Sequence, residues 1–402
     1  MNKHRRTRNV DSIAVALDFC VVDRVHRTPV ALATWALGLV PTSSAEVAWT
    51  CDRWEHLLTL TLTKHTKRPM SHVRRLNAEV RSMNALLSER NAVLVPAAAH
   101  PFAQGDLLTM RADAPGRAVL SSSFDMHRAG WCNSQITCLR VSFSSDEEFS
   151  RLHASVRLLL PLLPAISAAS PYLNGACTGV MSARAEASMH HVDSLPQLLG
   201  PVIPEAVFSE EDYYRTVFSP MAQALVAVDA GQALDHYGMN ARAAVARFDR
   251  GELELRVLDR QECVTADLAL AEMTLAVVRA MGSGRWVSTY LQRAWSEDDL
   301  FPIYMQTVRE SGQAVISNRD YLFMFGLMKQ DRMSVQKIWQ HLFVELYGDL
   351  SDECRRVMAH ILEHGCLSQR MLRRYGKAPT ASALIELVDD LSGHLAADRS
   401  WS

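Results

Sequence analysis

The chain has 402 residues, of which 48% are hydrophobic and 21% charged, the balance expected of a globular protein with a sizeable core. Its net charge of −2 gives no global field that would attract nucleic acid or an anionic membrane surface. No apolar run reaches the roughly 18 residues that a membrane-spanning helix needs. We therefore expect neither nucleic-acid nor membrane partners.

The cysteines and the N-terminal residues predict a cytoplasmic protein. The eight cysteines are scattered without a C-x-x-C pair, which argues against a zinc cluster and a dense disulfide framework. Reduced thiols of this kind are typical of the cytoplasm. The basic start at residues 3–8 has no apolar signal core behind it, so residues 1–10 are predicted to be a disordered tail. Residues 11–395 are predicted to form a single domain, because no repeat or long linker interrupts them.

Period-two alternation and β-branched residues predict several strands, and apolar residues that recur every three to four positions predict helices. The predicted strands are 12–23, 55–63, 92–103, 134–145 and 251–259. Helices are predicted at 71–90 and at 266–281, the second of them amphipathic.

The stretch 160–184, LPLLPAISAASPYLNGACTGVMSAR, joins an apolar helix to a loop that contains glycines. Pro171 ends the helix, because proline disfavours helix in the residue before it. Gly175 and Gly179 follow, and the segment ends at Arg184. Two interpretations stay open from the residues alone: a helix end followed by a surface turn, or a loop shaped around a ligand.

Charged side chains share a face on two of the predicted strands. Residues two apart along a strand point the same way, so Glu254 and Arg256 in GELELRVLD are predicted to lie side by side. Such a pair is also consistent with a surface ion pair. In the first strand Asp18 shares a face with Ala16, and it is consistent both with a cation ligand and with a solvated residue.

Taken in order, these segments resemble the bacterial carboxylate–amine ligases of the glutamate–cysteine ligase type 2 family. The stretch 160–184 is similar to the family segment SANSPF…G…TG…S.R, and 251–259 is similar to (T/G)-x-E-x-R-x-x-D. The HPF triplet that begins at His100 matches the family's GTHPF. By itself, His100 is consistent both with a satisfied histidine at a strand end and with a ligand-binding role. The resemblance covers most of the chain. It implies an α+β fold in which a curved antiparallel sheet forms a funnel with helices packed outside, as in the catalytic fold of glutamine synthetase.

The implied activity is ATP-dependent amide formation of the γ-glutamyl type, through an acyl phosphate, with Mg²⁺ as the cation. Its substrates would be small carboxylates and amines such as amino acids. Such sites need clustered carboxylates and arginines to position the reactants and neutralise phosphate charge. Carried onto this chain, the site comprises Arg184 and Arg256 for catalysis, Arg140, Arg256 and His100 for cofactor binding, and Asp18 and Glu254 as metal ligands.

Several family site positions carry other residues in this chain, whereas scaffold glycines such as Gly326 and Gly365 are kept. The replaced positions are Ala16, Thr59 or Thr61, Arg140, Ala169 and Met324. Two functions therefore stay open. The first is a ligase with an altered substrate or one fewer Mg²⁺, and the second is a non-catalytic relative that binds a ligand or a partner. The resemblance also leaves a homodimer open.

Overall fold

In a computed structural model of the protein, residues 12–40, 44, 46–228 and 233–401 are described. The predicted basic tail at 1–10 lies outside these residues. The strands are β1 (Ile13–Asp23), β2 (Val47–Thr50), β3 (Leu57–Leu62), β4 (Ala92–Val95), β5 (Thr137–Ser142), β6 (Tyr172–Leu173), β7 (Ala176–Cys177), β8 (Ala244–Arg247), β9 (Glu252–Leu255), β10 (Val315–Ile316) and β11 (Met333–Ser334).

Helices make up most of the remaining regular structure. They are α1 (Ala33–Leu37), α2 (Val73–Ser88), α3 (Arg117–Ser123), α4 (Ala129–Cys132), α5 (Asp146–Leu159), α6 (Pro164–Ser167), α7 (Ala183–Ser188), α8 (Pro196–Leu199), α9 (Glu210–Tyr213), α10 (Ser219–Val226), α11 (His236–Met239), α12 (Val264–Gly282), α13 (Thr289–Arg293), α14 (Glu297–Glu310), α15 (Arg319–Phe323), α16 (Val335–Glu345), α17 (Asp352–His364), α18 (Leu367–Tyr375) and α19 (Ala381–Ala397). Among the described residues, none of these helices is both long and apolar enough to cross a membrane.

A seven-stranded antiparallel sheet lies at the centre of the fold. Its order is β2-β3-β1-β5-β9-β8, and β4 also pairs with β1. The long strand β1 pairs with β5 through its first half, with β3 through its middle and with β4 through its last residues. The predicted α+β class with an antiparallel sheet and helices packed against it is therefore confirmed. The strand predicted at 92–103 is shorter than expected, because Pro96 follows Val95 and has no N–H to donate to a neighbouring strand.

Alternation along β1 gives the sheet one apolar and one polar face. Ile13, Val15, Leu17 and Phe19 are buried in the core, on the side where α12 packs against β1 and β5. The residues between them point to the opposite face, which is free of this helix layer. The candidate site lies on that second face.

Helix α12 is buried almost all the way round, so the prediction that it is amphipathic was wrong. It lies between the sheet and a second helical layer that includes α5 and α17. A helix between two apolar surfaces needs no polar face, and even Asp267 and Glu272 are buried, each accepting hydrogen bonds.

The predicted glycine loop contains a small hairpin that the sequence analysis did not anticipate. Strands β6 and β7 are joined by Asn174 and Gly175, both with positive φ (52° and 81°). An Asn-Gly pair suits this two-residue turn, because both residues tolerate the left-handed region.

Candidate functional site

A cavity of about 490 Å³ opens over the polar face of the sheet. Its floor is built from neighbouring strands, because the antiparallel register sets Asp18 opposite Thr59 and Ala16 opposite Cys138. Two charged residues two positions apart also line the cavity: Glu254, in β9, and Arg256, just beyond the end of that strand. The predicted common face of these residues is present, and it faces the cavity.

Asp18 is held in place by two hydrogen bonds to its carboxylate. The Thr59 hydroxyl donates to Oδ1 at 2.7 Å, and the Ile136 backbone N–H donates to Oδ2 at 3.0 Å. Burial raises the pKa of Asp18, although these two bonds and the charge of Arg260 oppose the rise. Thr59 therefore acts as a hydrogen-bond donor to Asp18. The two residues are register partners on β3 and β1, so the hydroxyl lies within reach of the carboxylate.

Glu254 and Arg256 form an ion pair within the site. The Glu254 Oε2 atom accepts from Arg256 Nη2 at 2.5 Å and from Nε at 3.2 Å, and Arg247 lies 3.8 Å from Oε1. Burial would raise the pKa of Glu254, but the guanidinium groups of Arg256, Arg247 and Arg140 outweigh it and keep the pKa below its usual value. Arg256 also donates to the carbonyl of Asn240 at 2.8 Å, so its position is fixed.

The two most distinctive sequence segments meet at a buried ion pair between Arg184 and Asp259. Arg184 Nε donates to Asp259 Oδ1 at 2.5 Å, and the two side chains are 4% and 0% exposed. Asp259 Oδ2 accepts from the Ser170 hydroxyl, the Ser182 hydroxyl and the Ala169 N–H at 2.8 to 3.0 Å. The loop after α6 is therefore held by its own serines and arginine, while Arg184 also lines the cavity.

Two of the predicted cofactor-binding residues lie elsewhere. Arg140 is the register partner of Glu254 across β5 and β9, but it donates to the carbonyl of Leu62 at 3.3 Å and does not line the cavity. His100 is fully buried, donates from Nε2 to the carbonyl of Arg27 at 2.8 Å, and its burial lowers its pKa to about 3. The assignment of His100 to cofactor binding is therefore corrected: it is a core histidine.

The cavity also has a wall that sequence reasoning missed. Most of its residues come from loops and short helices and one from α14, and no periodic pattern or motif marked them. They are Arg53, Trp54, Trp131, Met189, His191, Leu199, Val202, Met239 and Tyr304. Val202 has a φ of 67°, which is strained for a β-branched residue and so an outlier of the kind found near binding sites.

The residues present do not form a site for the Mg²⁺ that the resemblance implies. Within the described ranges, no group of three or more acidic, histidine or cysteine side chains could hold a metal ion. Both oxygens of Asp18 accept hydrogen bonds, and the Glu254 carboxylate forms ion pairs with Arg256 and Arg247. Mg²⁺ prefers clustered oxygen ligands, and Ala16 supplies none where a second carboxylate would complete such a cluster.

Structural comparison supports the fold. The structure matches that of a bifunctional glutathione synthetase from Pasteurella multocida with a TM-score of 0.58 and 12% identity, over 96% of this chain and 53% of that chain. A complex between the prokaryotic ubiquitin-like protein Pup and its ligase PafA gives a TM-score of 0.39 at 12% identity, over 95% of this chain and 66% of that chain, which is too low to show a shared fold. The chain thus spans about half of the glutathione synthetase.

Sequence comparison identifies the family. An uncharacterized protein of Archaeoglobus fulgidus is 33% identical over 157 residues, which cover 39% of this chain and 42% of that protein. The model of glutamate-cysteine ligase family 2 matches residues 122–388, two thirds of the chain, including the loop after α6 and the strand that carries Glu254. The chain therefore belongs to glutamate-cysteine ligase family 2.

Proposed function

We propose that the protein is an ATP-dependent carboxylate–amine ligase, which joins a small carboxylate to an amine in the cavity over the sheet. One observation carries the proposal. The chain belongs to this family, and three of its segments meet at one cavity. The first contributes Asp18, the second Arg184, and the third Glu254 with Arg256. Ligation needs positioned charge rather than a protein nucleophile, and this cavity offers charge of both signs.

The reaction would proceed in two transfers. A carboxylate oxygen attacks the terminal phosphorus of ATP, ADP leaves, and an acyl phosphate forms. The amine then attacks the acyl carbon, the C–O bond to phosphate breaks, and an amide, inorganic phosphate and a proton are released. No step is assigned to a divalent cation, because the described residues do not form a site for one.

The cavity residues have distinct roles in this scheme. Arg256 and Arg184 neutralise charge on the phosphoryl oxygens and the carboxylate, since guanidinium groups bind both kinds of anion in fixed geometry. Glu254 holds Arg256 in position. The Asp18 carboxylate accepts from a hydroxyl and a backbone N–H rather than from an arginine, so its oxygens can accept a further hydrogen bond from the ammonium or amine group and orient it.

The test is phosphate release coupled to product detection. Purified protein is incubated with ATP and a panel of amino acids and amines, with magnesium chloride in one arm and EDTA in the other. We expect phosphate release that needs both a carboxylate and an amine, an amide of matching mass, and loss of both signals in Arg256→Gln. Phosphate release that does not depend on the panel, or no amide from any pair, would contradict the proposal.

A second candidate is a ligand-binding protein that performs no ligation. It is favoured by the pairing of Glu254 with Arg256 and by Ala16, which together leave the floor without a cation site. Calorimetry separates the two candidates. Saturable binding of an amino acid without any phosphate release would support the second candidate over the first.

We further propose that residues 11–395 act as one domain, in the cytoplasm, on amino-acid or amine substrates. Most buried apolar residues of the sheet form one continuous cluster with those of α12, and a second cluster packs Val22 and Val95 of the same sheet against α18 and α19, which supports a single cooperative unit. Coincident unfolding transitions by fluorescence and circular dichroism would agree with one domain, and two separated transitions would contradict it. Sedimentation analysis would decide between a monomer and a homodimer.

A further inference from the structure

The cavity lining has two unlike parts. In addition to the charged floor it has a wall that is mainly apolar and aromatic. Its large members are Trp54, Trp131, Met189, Leu199, Val202 and Met239. Ligand cavities that are apolar on one side and charged on the other orient a ligand that has the same two properties.

Trp131 offers this wall a face without a free polar group. Its indole N–H donates to the carbonyl of His191 at 2.7 Å, and the His191 ring packs edge-on against it at 4.6 Å between centroids. Burial also lowers the pKa of His191 to about 4, so this ring is neutral at pH 7. Trp131 and His191 therefore offer the cavity neither charge nor an unused indole donor.

Arg53 is the cation of this wall. Its guanidinium lies 5.7 Å from the centre of the Trp131 ring, and its buried Nε has no hydrogen-bond partner among the described residues. Arg53 forms an ion pair with Asp52, with 3.4 Å between Nη1 and Oδ2. Because Asp52 is 73% exposed, this ion pair is weak. The other cavity arginines, Arg184, Arg242 and Arg256, are each held by a closer carboxylate at 2.5 Å.

We propose that this wall binds an amino acid with an apolar side chain, whose carboxylate pairs with Arg53 and whose side chain packs on Trp131 and Val202. The inference rests on the proposed function only in placing the substrate in this cavity. The Arg53 guanidinium lines the cavity and has only a weak ion pair with exposed Asp52, so it is able to pair with a carboxylate. The apolar surface beside it matches a side chain such as that of leucine, methionine or phenylalanine, and a polar side chain there would lose its hydrogen bonds to water.

The test is equilibrium binding by titration calorimetry, which does not depend on turnover. The probes are leucine, phenylalanine, serine, leucinamide, which lacks the carboxylate, and inorganic phosphate. The variant is Arg53→Gln. The matched control is Arg90→Gln, because exposed Arg90 also lies over a tryptophan, Trp35, at 5.1 Å, but outside the cavity.

We expect leucine and phenylalanine to bind at least about tenfold more tightly than serine, since each buried methylene strengthens binding about fourfold. Leucinamide binding to the wild type and leucine binding to Arg53→Gln should each be weaker by about tenfold or more, because a charged hydrogen bond is lost. Leucine binding to Arg90→Gln should be unchanged. A melting curve for Arg53→Gln that matches the wild type shows that the variant is folded.

The inference would be overturned by no binding of any amino acid, by equal binding of serine and leucine, or by unchanged leucine binding to Arg53→Gln. Tighter binding of inorganic phosphate than of leucine would assign Arg53 to phosphate instead and would also overturn it. Failure of the proposed ligation looks different, because the binding pattern would then hold while phosphate release is absent.

Discussion

The buried ion pair between Arg184 and Asp259 should be among the most sensitive points of the fold. Asp259→Asn removes the negative charge while keeping the shape of the side chain. It leaves the Arg184 guanidinium 4% exposed and without its ionic partner, next to a loop whose serines and Ala169 N–H donate to the same Asp259 oxygen. Breaking a buried pair in this way costs about 3–5 kcal/mol. We expect the free energy of unfolding to fall by about that amount.

Urea denaturation followed by tryptophan fluorescence measures the loss. The control is Glu147→Gln, which breaks the exposed pair with Arg151 in α5, where Glu147 is 80% exposed and the expected change is about 0.5 kcal/mol or less. The double variant Arg184→Met with Asp259→Asn should recover part of the loss, because the unpaired charge is gone. A loss below about 1 kcal/mol in Asp259→Asn would refute the view that this pair fixes the loop after α6.

Two further predictions concern the floor of the cavity. Ala16→Glu places a second carboxylate beside Asp18, so titration calorimetry should detect Mg²⁺ binding in the variant and none in the wild type. Saturable Mg²⁺ binding by the wild type would contradict the conclusion that the cavity floor lacks a cation site. Because the pKa of Glu254 is lowered on folding, the ionised carboxylate stabilises the fold at neutral pH, and this contribution is lost as the pH falls through the glutamate range. The stability difference between wild type and Glu254→Gln, measured as urea midpoints across that range, should therefore shrink with falling pH; a constant difference would count against the ion pair.

Strands that carry a periodic signal could be predicted from the sequence. The alternation in β1 identified both the strand and the shared face of Ala16 and Asp18, because side-chain direction in a strand follows local geometry alone. The end of β4 depended on Pro96, a local signal that was overlooked. The Asn-Gly turn of the small hairpin is likewise a local signal from which the hairpin could have been predicted.

Features set by tertiary packing could not be predicted in this way. The outer face of α12 is buried because α5 and α17 cover it, and no pattern within the helix reports its neighbours. The family motif implied a ligand-binding role for His100, whereas the residue alone also allowed a satisfied histidine at a strand end. The fold places it in the core against the Arg27 carbonyl. Arg53 gave no signal, because its importance comes from Trp131, which lies far away along the chain.

The central claim is that a carboxylate is activated by ATP in the cavity over the sheet. Positional isotope exchange in ATP labelled with ¹⁸O at the β,γ-bridging position tests this step directly, because acyl phosphate formation lets the ADP oxygens scramble before the reaction reverses. With one carboxylate at a time supplied, such as leucine or glutamate, and no further amine substrate added, we predict scrambling that depends on the carboxylate and disappears in Arg256→Gln. Scrambling with no carboxylate present, or none with any of them, would contradict the claim.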